Sequence, residues 1–201
     1  MKPMLKLAAP VALALSAGAC SLGGLLGGGG KPPPVLFTLT PEAPAPADLA
    51  RSASAEQAVT IQVPETPTEL KVLRVPVQVA PTEVEYVTNL QWADTPDRLF
   101  QRLLSETVRR TTNRVVLNPA QTALDPGTIV SGQLQHFGYH AQTGQVVVTY
   151  DAAMTKAGGS AIQTRRFEAR ESADGTAATV APALNRAANE VALQVAQWIG
   201  G

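Results

Sequence analysis

The sequence is short of the residues from which disulfides, metal clusters and catalytic sites are usually built. A single cysteine rules out a disulfide within the chain, and one cysteine with two histidines rules out a cysteine-rich zinc module. Charged residues make up 16%, below the roughly 25% of an ordinary soluble domain. Sixteen basic and sixteen acidic side chains cancel, so no positive field draws the chain to nucleic acid. No serine stands in a Gly-x-Ser-x-Gly elbow, and no glycine-rich loop runs into Lys-Ser or Lys-Thr. Glu83 and Glu85 share one face of an extended segment, an ordinary arrangement for exposed carboxylates. His136 and His140 fall on one strand face about 13 Å apart by strand rise. That is too far for one metal unless the chain bulges or turns, so neither metal nor cofactor is expected. A nucleophile, a base and oxyanion donors cannot be assembled from this sequence. The expectation is a chain that is not an enzyme.

What the sequence does hold is small apolar residues. Hydrophobic residues reach 45% of 201, mostly Ala and Val, with only four Phe, two Trp and three Tyr. That length fits one domain with appendages. Lys2 and Lys6 precede a short apolar stretch from Leu5 to Leu15, followed by Ser16-Ala17-Gly18-Ala19 and then Cys20. A basic start, a short apolar core and a small-residue site form a secretory signal over residues 1–19. The apolar part is about half the length of a spanning helix and contains Pro10.

Ala17-Gly18-Ala19-Cys20 resembles a bacterial lipobox, in which the cysteine thiol receives a diacylglycerol before cleavage between Ala19 and Cys20. Ala17 departs from the commoner leucine. The alternative is an ordinary signal-peptidase site that leaves a free thiol, a liability in an oxidising compartment. Cleavage removes Lys2 and Lys6, leaving fourteen basic and sixteen acidic residues, a formal charge of −2. A membrane anchor is then lipid, because no polybasic patch exists to hold the chain. Residues 20–34 read as a tether, flexible through Gly23–Gly30 and stiffened by Pro32-Pro33-Pro34.

From Val35 to Gly201 the pattern is that of a folded body. Val35–Thr40 reads as a strand, too short to survive alone and so expected to dock on the main sheet. Residues 41–58, rich in Pro, Ala and Ser, read as a flexible linker. Strands are predicted over 59–63, 70–79, 82–88 and 115–117, with Pro76 marking an edge or a bulge. Val84 and Tyr86 share a face of the third of these. Three longer strands over 128–139, 145–154 and 161–170 form a meander, with turns at Thr143-Gly144 and Gly158-Gly159. Thr95-Pro96-Asp97 starts a helix with Leu99, Phe100, Leu103, Leu104 and Val108 on its apolar face. A second helix runs from about Val180 to Ile199, with Leu184, Ala188, Val191, Val195 and Trp198 on one face. The fold class is α/β (α+β), a single sheet of mostly antiparallel strands with two helices on one face.

Tyr86, Trp92, Arg98 and Arg102 are candidate partner contacts. Trp92 and Trp198 are partner anchors or core caps. The arginines form a partner- or headgroup-binding face, or a solvated helix surface with pairs such as Arg102–Glu106.

Several of these features, in this order, resemble the ABC-type transport auxiliary lipoproteins. They are Cys20, Val35-Leu36-Phe37-Thr38-Leu39, Leu73-Arg74-Val75-Pro76-Val77, Tyr86-Val87, and Trp92-Ala93 leading into Leu99–Leu104. Phe167 and the segment from Ala187 to Trp198 complete the set. Phe37 stands where relatives often carry tyrosine. The resemblance implies a lipoprotein of the Gram-negative periplasm serving a mammalian-cell-entry (MCE) domain transport system. An ABC permease and ATPase and an MCE-domain protein are then its partners, and a homo-oligomeric ring is implied as well. Ser21 after the cysteine, rather than aspartate, favours the outer membrane. The alternatives are a lipid-binding carrier and a general outer-membrane biogenesis lipoprotein. A periplasmic hydrolase is a further alternative, for which no nucleophile set is found.

Overall fold

The chain divides into Met1–Pro33 and a compact unit, Pro34–Gly201. The computed structural model describes residues 35–45, 54, 57–118, 127–156 and 161–200, all within the second unit. The signal sequence, Cys20, the tether and the Gly158-Gly159 turn lie outside the described residues.

Eight strands form one mixed sheet. In chain order they are β1 (Leu36–Phe37), β2 (Ala58–Ile61), β3 (Arg74–Ala80), β4 (Glu83–Trp92), β5 (Val115–Leu117), β6 (Thr128–His140), β7 (Gln145–Thr155) and β8 (Ile162–Ser172). Helix α1 is Pro96–Thr111 and α2 is Ala177–Gly200. The expected meander is its backbone: β6 with β7 and β7 with β8 are long antiparallel ladders, and β3 with β4 is a shorter one. Four short parallel ladders join the rest, β1 to β4, β2 to β5, and both β2 and β3 to β6.

Strand β6 is therefore the seam. One stretch of its edge takes β2 at Thr128–Val130, and a later stretch of the same edge takes β3 at Tyr139–His140. Between them Glu65 bridges Gln133, and the Glu65 amide donates to the Gly132 carbonyl at 2.9 Å. The segment expected as strand from Leu70 instead begins with a 3-10 turn, Thr68–Leu70, and Leu70 is buried beside the seam. The strand proper starts at Arg74. Pro76 sits at a register shift, so of the two expectations the bulge holds and the edge does not: β3 lies between β4 and β6.

Both helices pack on one face. Thr95 is the N-cap of α1, with Pro96 at the first position and Asp97 in the first turn, as the sequence predicts. Helix α2 starts three residues earlier than predicted. Asp174 accepts hydrogen bonds from the Thr176 amide at 2.9 Å and from the Thr176 and Thr179 hydroxyls. Those bonds, Thr179 first, hold its carboxyl down at about 2. Ala181, Ala183, Ala187, Ala188, Ala192 and Ala196 are all buried on α2, small enough to let its backbone approach its neighbours. Leu184, Ala188, Val191 and Val195 are buried as predicted, while Trp198 is half-buried with its ring 5.6 Å from Phe167. The scarce aromatics are used in pairs, Trp92 with Phe137 at 5.6 Å and Phe100 with Tyr150 at 5.2 Å. Each such pair adds about 0.5–1.5 kcal/mol beyond area burial.

Among the described residues, no helix is long and apolar enough to cross a membrane.

Candidate functional site

The N-terminal end of the described body is tied down by an unusual set of contacts. Strand β1 pairs in parallel with the end of β4, Leu36 with Gln91 and Phe37 with Trp92. The docking expected for this short strand is thus observed. Beyond it the chain lies along the helices as a strap. The Thr40 amide donates to Asn185 Oδ1 at 2.8 Å, and the Glu42 amide donates to Asn189 Oδ1 at 2.8 Å. Asn189 Nδ2 donates back to the Thr40 carbonyl at 2.9 Å, and Asn185 Nδ2 to Glu42 Oε1 at 3.1 Å. From α1, Arg110 donates to the Ala43 carbonyl at 2.7 Å and to Glu106 Oε1 at 2.8 Å. The Arg110 bond is the main reason the Glu106 carboxyl lies below its ordinary range.

Asn185 and Asn189 are one helical turn apart and so share a face of α2. An asparagine amide carries one acceptor and two donors, the functions of a peptide group, so the pair serves the strap as a partner strand would. Residues 41–45, expected as the start of a flexible linker, are accordingly docked up to Ala43. Sequence reading missed this because Asn185 and Asn189 stand in a helix of Ala and Val without a motif. The available signal was Asn189 itself, a polar residue placed among buried positions.

We expect Asn189→Ala to release the strap without opening the sheet. It leaves the Glu42 N–H and Thr40 C=O unpaired in a partly buried site, a cost of about 1–3 kcal/mol. Hydrogen exchange measures this directly. The amides of Thr40 and Glu42 should lose protection while those of β6 and β7 keep theirs. Equal loss in both places would mean that strap and sheet open as one unit.

The four predicted contact residues are not brought together. Trp92 is fully buried against Phe137, so it belongs to the core and offers no surface to a partner. Tyr86 lies opposite Pro76 on the helix-free face, half-buried, with the Arg74 guanidinium 3.8 Å from its ring centroid. Arg98 and Arg102 are exposed on α1. Arg102 does not pair with Glu106. It bonds Asp94 Oδ2 at 2.8 Å, while Glu106 is taken by Arg110 and Arg109. The reason is orientation: an acid N-terminal to a base is the better i,i+4 order, and Asp94 at the helix start also meets the positive end of the dipole. Arg102 also lines a cavity of about 510 Å³ with Leu39 and Pro41 of the strap and Leu117 of β5.

The helix-free face carries the other polar cluster. A bulge between Leu134 and His136 turns Gln135 and His136 to the same side. Gln135 donates to Asp151 Oδ2 at 3.2 Å, and Arg166 grips both oxygens of Asp151 at 2.6 Å. One register step along, Thr149 donates to Glu168 Oε2 at 2.9 Å, and Arg170 pairs with Oε1 at 2.8 Å. The expected 13 Å gap between His136 and His140 is not what the imidazoles show. Their ring centroids are 5.8 Å apart, inclined at 72°. The strand rise separates the two backbones, but the side chains lean toward each other over Gly138. Among the described residues, no three side chains of His, Cys, Asp or Glu converge to hold a metal ion.

These features define a class, a mixed-sheet α+β domain with two helices on one face and an N-terminal arm strapped over them. Residues 37–196 match the family described as ABC-type transport auxiliary lipoprotein component, and the chain belongs to that family. Its part is auxiliary to ABC-type transport and non-catalytic, and a lipoprotein of this kind belongs to the cell envelope. No curated protein matches the chain. Two crystal structures share the fold. One, of an uncharacterized protein, is 14% identical with a TM-score of 0.58, covering 82% of this chain and 99% of its own. The other, of a protein from Xanthomonas campestris, is 13% identical with a TM-score of 0.62, covering 82% of this chain and 91% of its own.

Proposed function

We propose that the chain is the lipid-anchored docking subunit of an ABC/MCE-type system that moves phospholipid or other hydrophobic substrates between inner and outer membranes. In this reading Cys20 carries the diacylglycerol anchor in the outer membrane, residues 20–34 set its reach, and the sheet–helix body meets the MCE-domain protein. Arg98, Arg102 and Tyr86 remain candidate contacts, on two separate surfaces of the body. The observation that supports the reading best is the strap. Asn185, Asn189 and Arg110 fix the chain immediately after the tether to both helices. A pull on the anchor that peels β1 from β4 is thereby stopped at Thr40–Ala43, where both helices hold the chain.

The carrier alternative needs room for an acyl chain between sheet and helices. That space is filled by Trp92, Phe100, Phe137, Tyr150 and Phe167, all fully buried. The test is crosslinking in intact cells with an MCE-domain protein of the same organism, both at native levels. A specific adduct through the exposed α1 arginines or the Tyr86 face is expected. Absence of any adduct with both proteins present would sink the docking role.

A further inference from the structure

The two histidines, which the sequence sets apart and the fold brings together, belong to neither the strap nor α1. We propose that His136 and His140 form a two-histidine site for a borderline divalent transition cation, with Zn2+ as the reference ion, on the helix-free face of β6.

The geometry comes from the residue between them. Gly138 faces the same side as both imidazoles, and a Cβ there would lie 2.6 Å from the Pro76 carbonyl oxygen. Close approach of β3 thus demands glycine, since Pro76 takes the place a side chain at 138 would fill, and the two imidazoles on either side of it come to 5.8 Å between centroids. A zinc–imidazole bond is about 2.0–2.1 Å, which places two rings on one tetrahedral ion with centroids about 5 Å apart. The observed 5.8 Å lies close to that spacing. Four-coordinate zinc then keeps two positions for water, and the His136 side is exposed to supply it.

The surrounding charges permit a cation. Glu69 of the 3-10 turn and Gln78 of β3 line the same groove as the two histidines. From β8, Arg170 is the opposing charge, and it is already paired with Glu168 at 2.8 Å.

The experiment is calorimetric titration of the purified full chain with Zn2+, repeated on His136→Gln and His140→Gln. A single Zn2+ per chain is expected, with affinity reduced roughly tenfold or more in each variant, since loss of a ligand exceeds the cost of losing its outer-shell support. His136 is exposed, so its variant should keep the wild-type melting temperature and report on binding alone. Absence of binding at millimolar Zn2+, or wild-type affinity in either variant, overturns the site.

Discussion

Trp92→Ala should lower stability by about 3–5 kcal/mol, the range for removing a buried aromatic whose site cannot collapse. For a chain of this size that is a fall of roughly 6–20 °C in melting temperature. The indole is fully buried, stacks at a tilt on Phe137 at 5.6 Å, and is followed directly by the chain that enters α1. Its backbone also holds two neighbours, donating to the Leu73 carbonyl at 2.7 Å and pairing with Phe37 of β1. A cavity there loosens the junction of sheet, helix and strap at once. Trp92→Phe should cost much less. The indole Nε1 is buried with no hydrogen-bond partner among the described residues, so the swap removes a desolvated donor worth about 1–3 kcal/mol while keeping most of the ring. Thermal unfolding of the two variants is the measurement. If Trp92→Ala left the melting temperature unchanged and removed only partner binding, the core placement would be wrong.

Trp92 also marks the limit of what the sequence could convey. Its neighbourhood reads as alternating strand up to Thr88 with Val84 and Tyr86 on one face, and there it is Val87, on the other face, that is buried. Leu90 and Trp92 are buried on the opposite parity. The switch occurs at Asn89, whose φ of 57° places it in the left-handed region that asparagine tolerates. There β4 takes up extra residues between its pairings with Arg74 and Pro76. Periodicity alone cannot locate such a bulge, so the sequence leaves the tryptophan open between partner anchor and core cap. The same holds for His136, where a bulge changes which residues share a face.

The long ladders of β6, β7 and β8 were legible because turns and alternation are local signals. So were both helices, from caps and a 3.6-residue repeat. The parallel joins of β2 and β3 to β6 were not, since each pairs segments far apart in sequence and leaves no turn to announce it. The strap was half legible. A short apolar strand had to dock somewhere, but its continuation is held by side-chain amides of α2, and nothing in residues 38–43 encodes their position.

Cys20→Ser should abolish membrane attachment of the processed protein, the largest cellular effect among these predictions. The argument rests on the proposed anchor. A serine hydroxyl is a far poorer nucleophile than a thiolate, so the diacylglycerol is not transferred and cleavage before residue 20 is blocked. No other part of the described chain replaces the anchor. None of its helices can span a bilayer, and the chain after residue 19 has a formal charge of −2, which anionic lipid repels. Each buried methylene of an acyl chain adds about 0.8 kcal/mol of membrane affinity, and two chains suffice for stable attachment where one is marginal. Loss of the thiol removes all of that at one position. The readout is size and fractionation together. The variant is expected as soluble protein or as uncleaved precursor, and an uncleaved precursor keeps its apolar signal segment and can sediment with membranes. A mature-sized Cys20→Ser protein in the membrane fraction would therefore show that something other than Cys20 holds the body there.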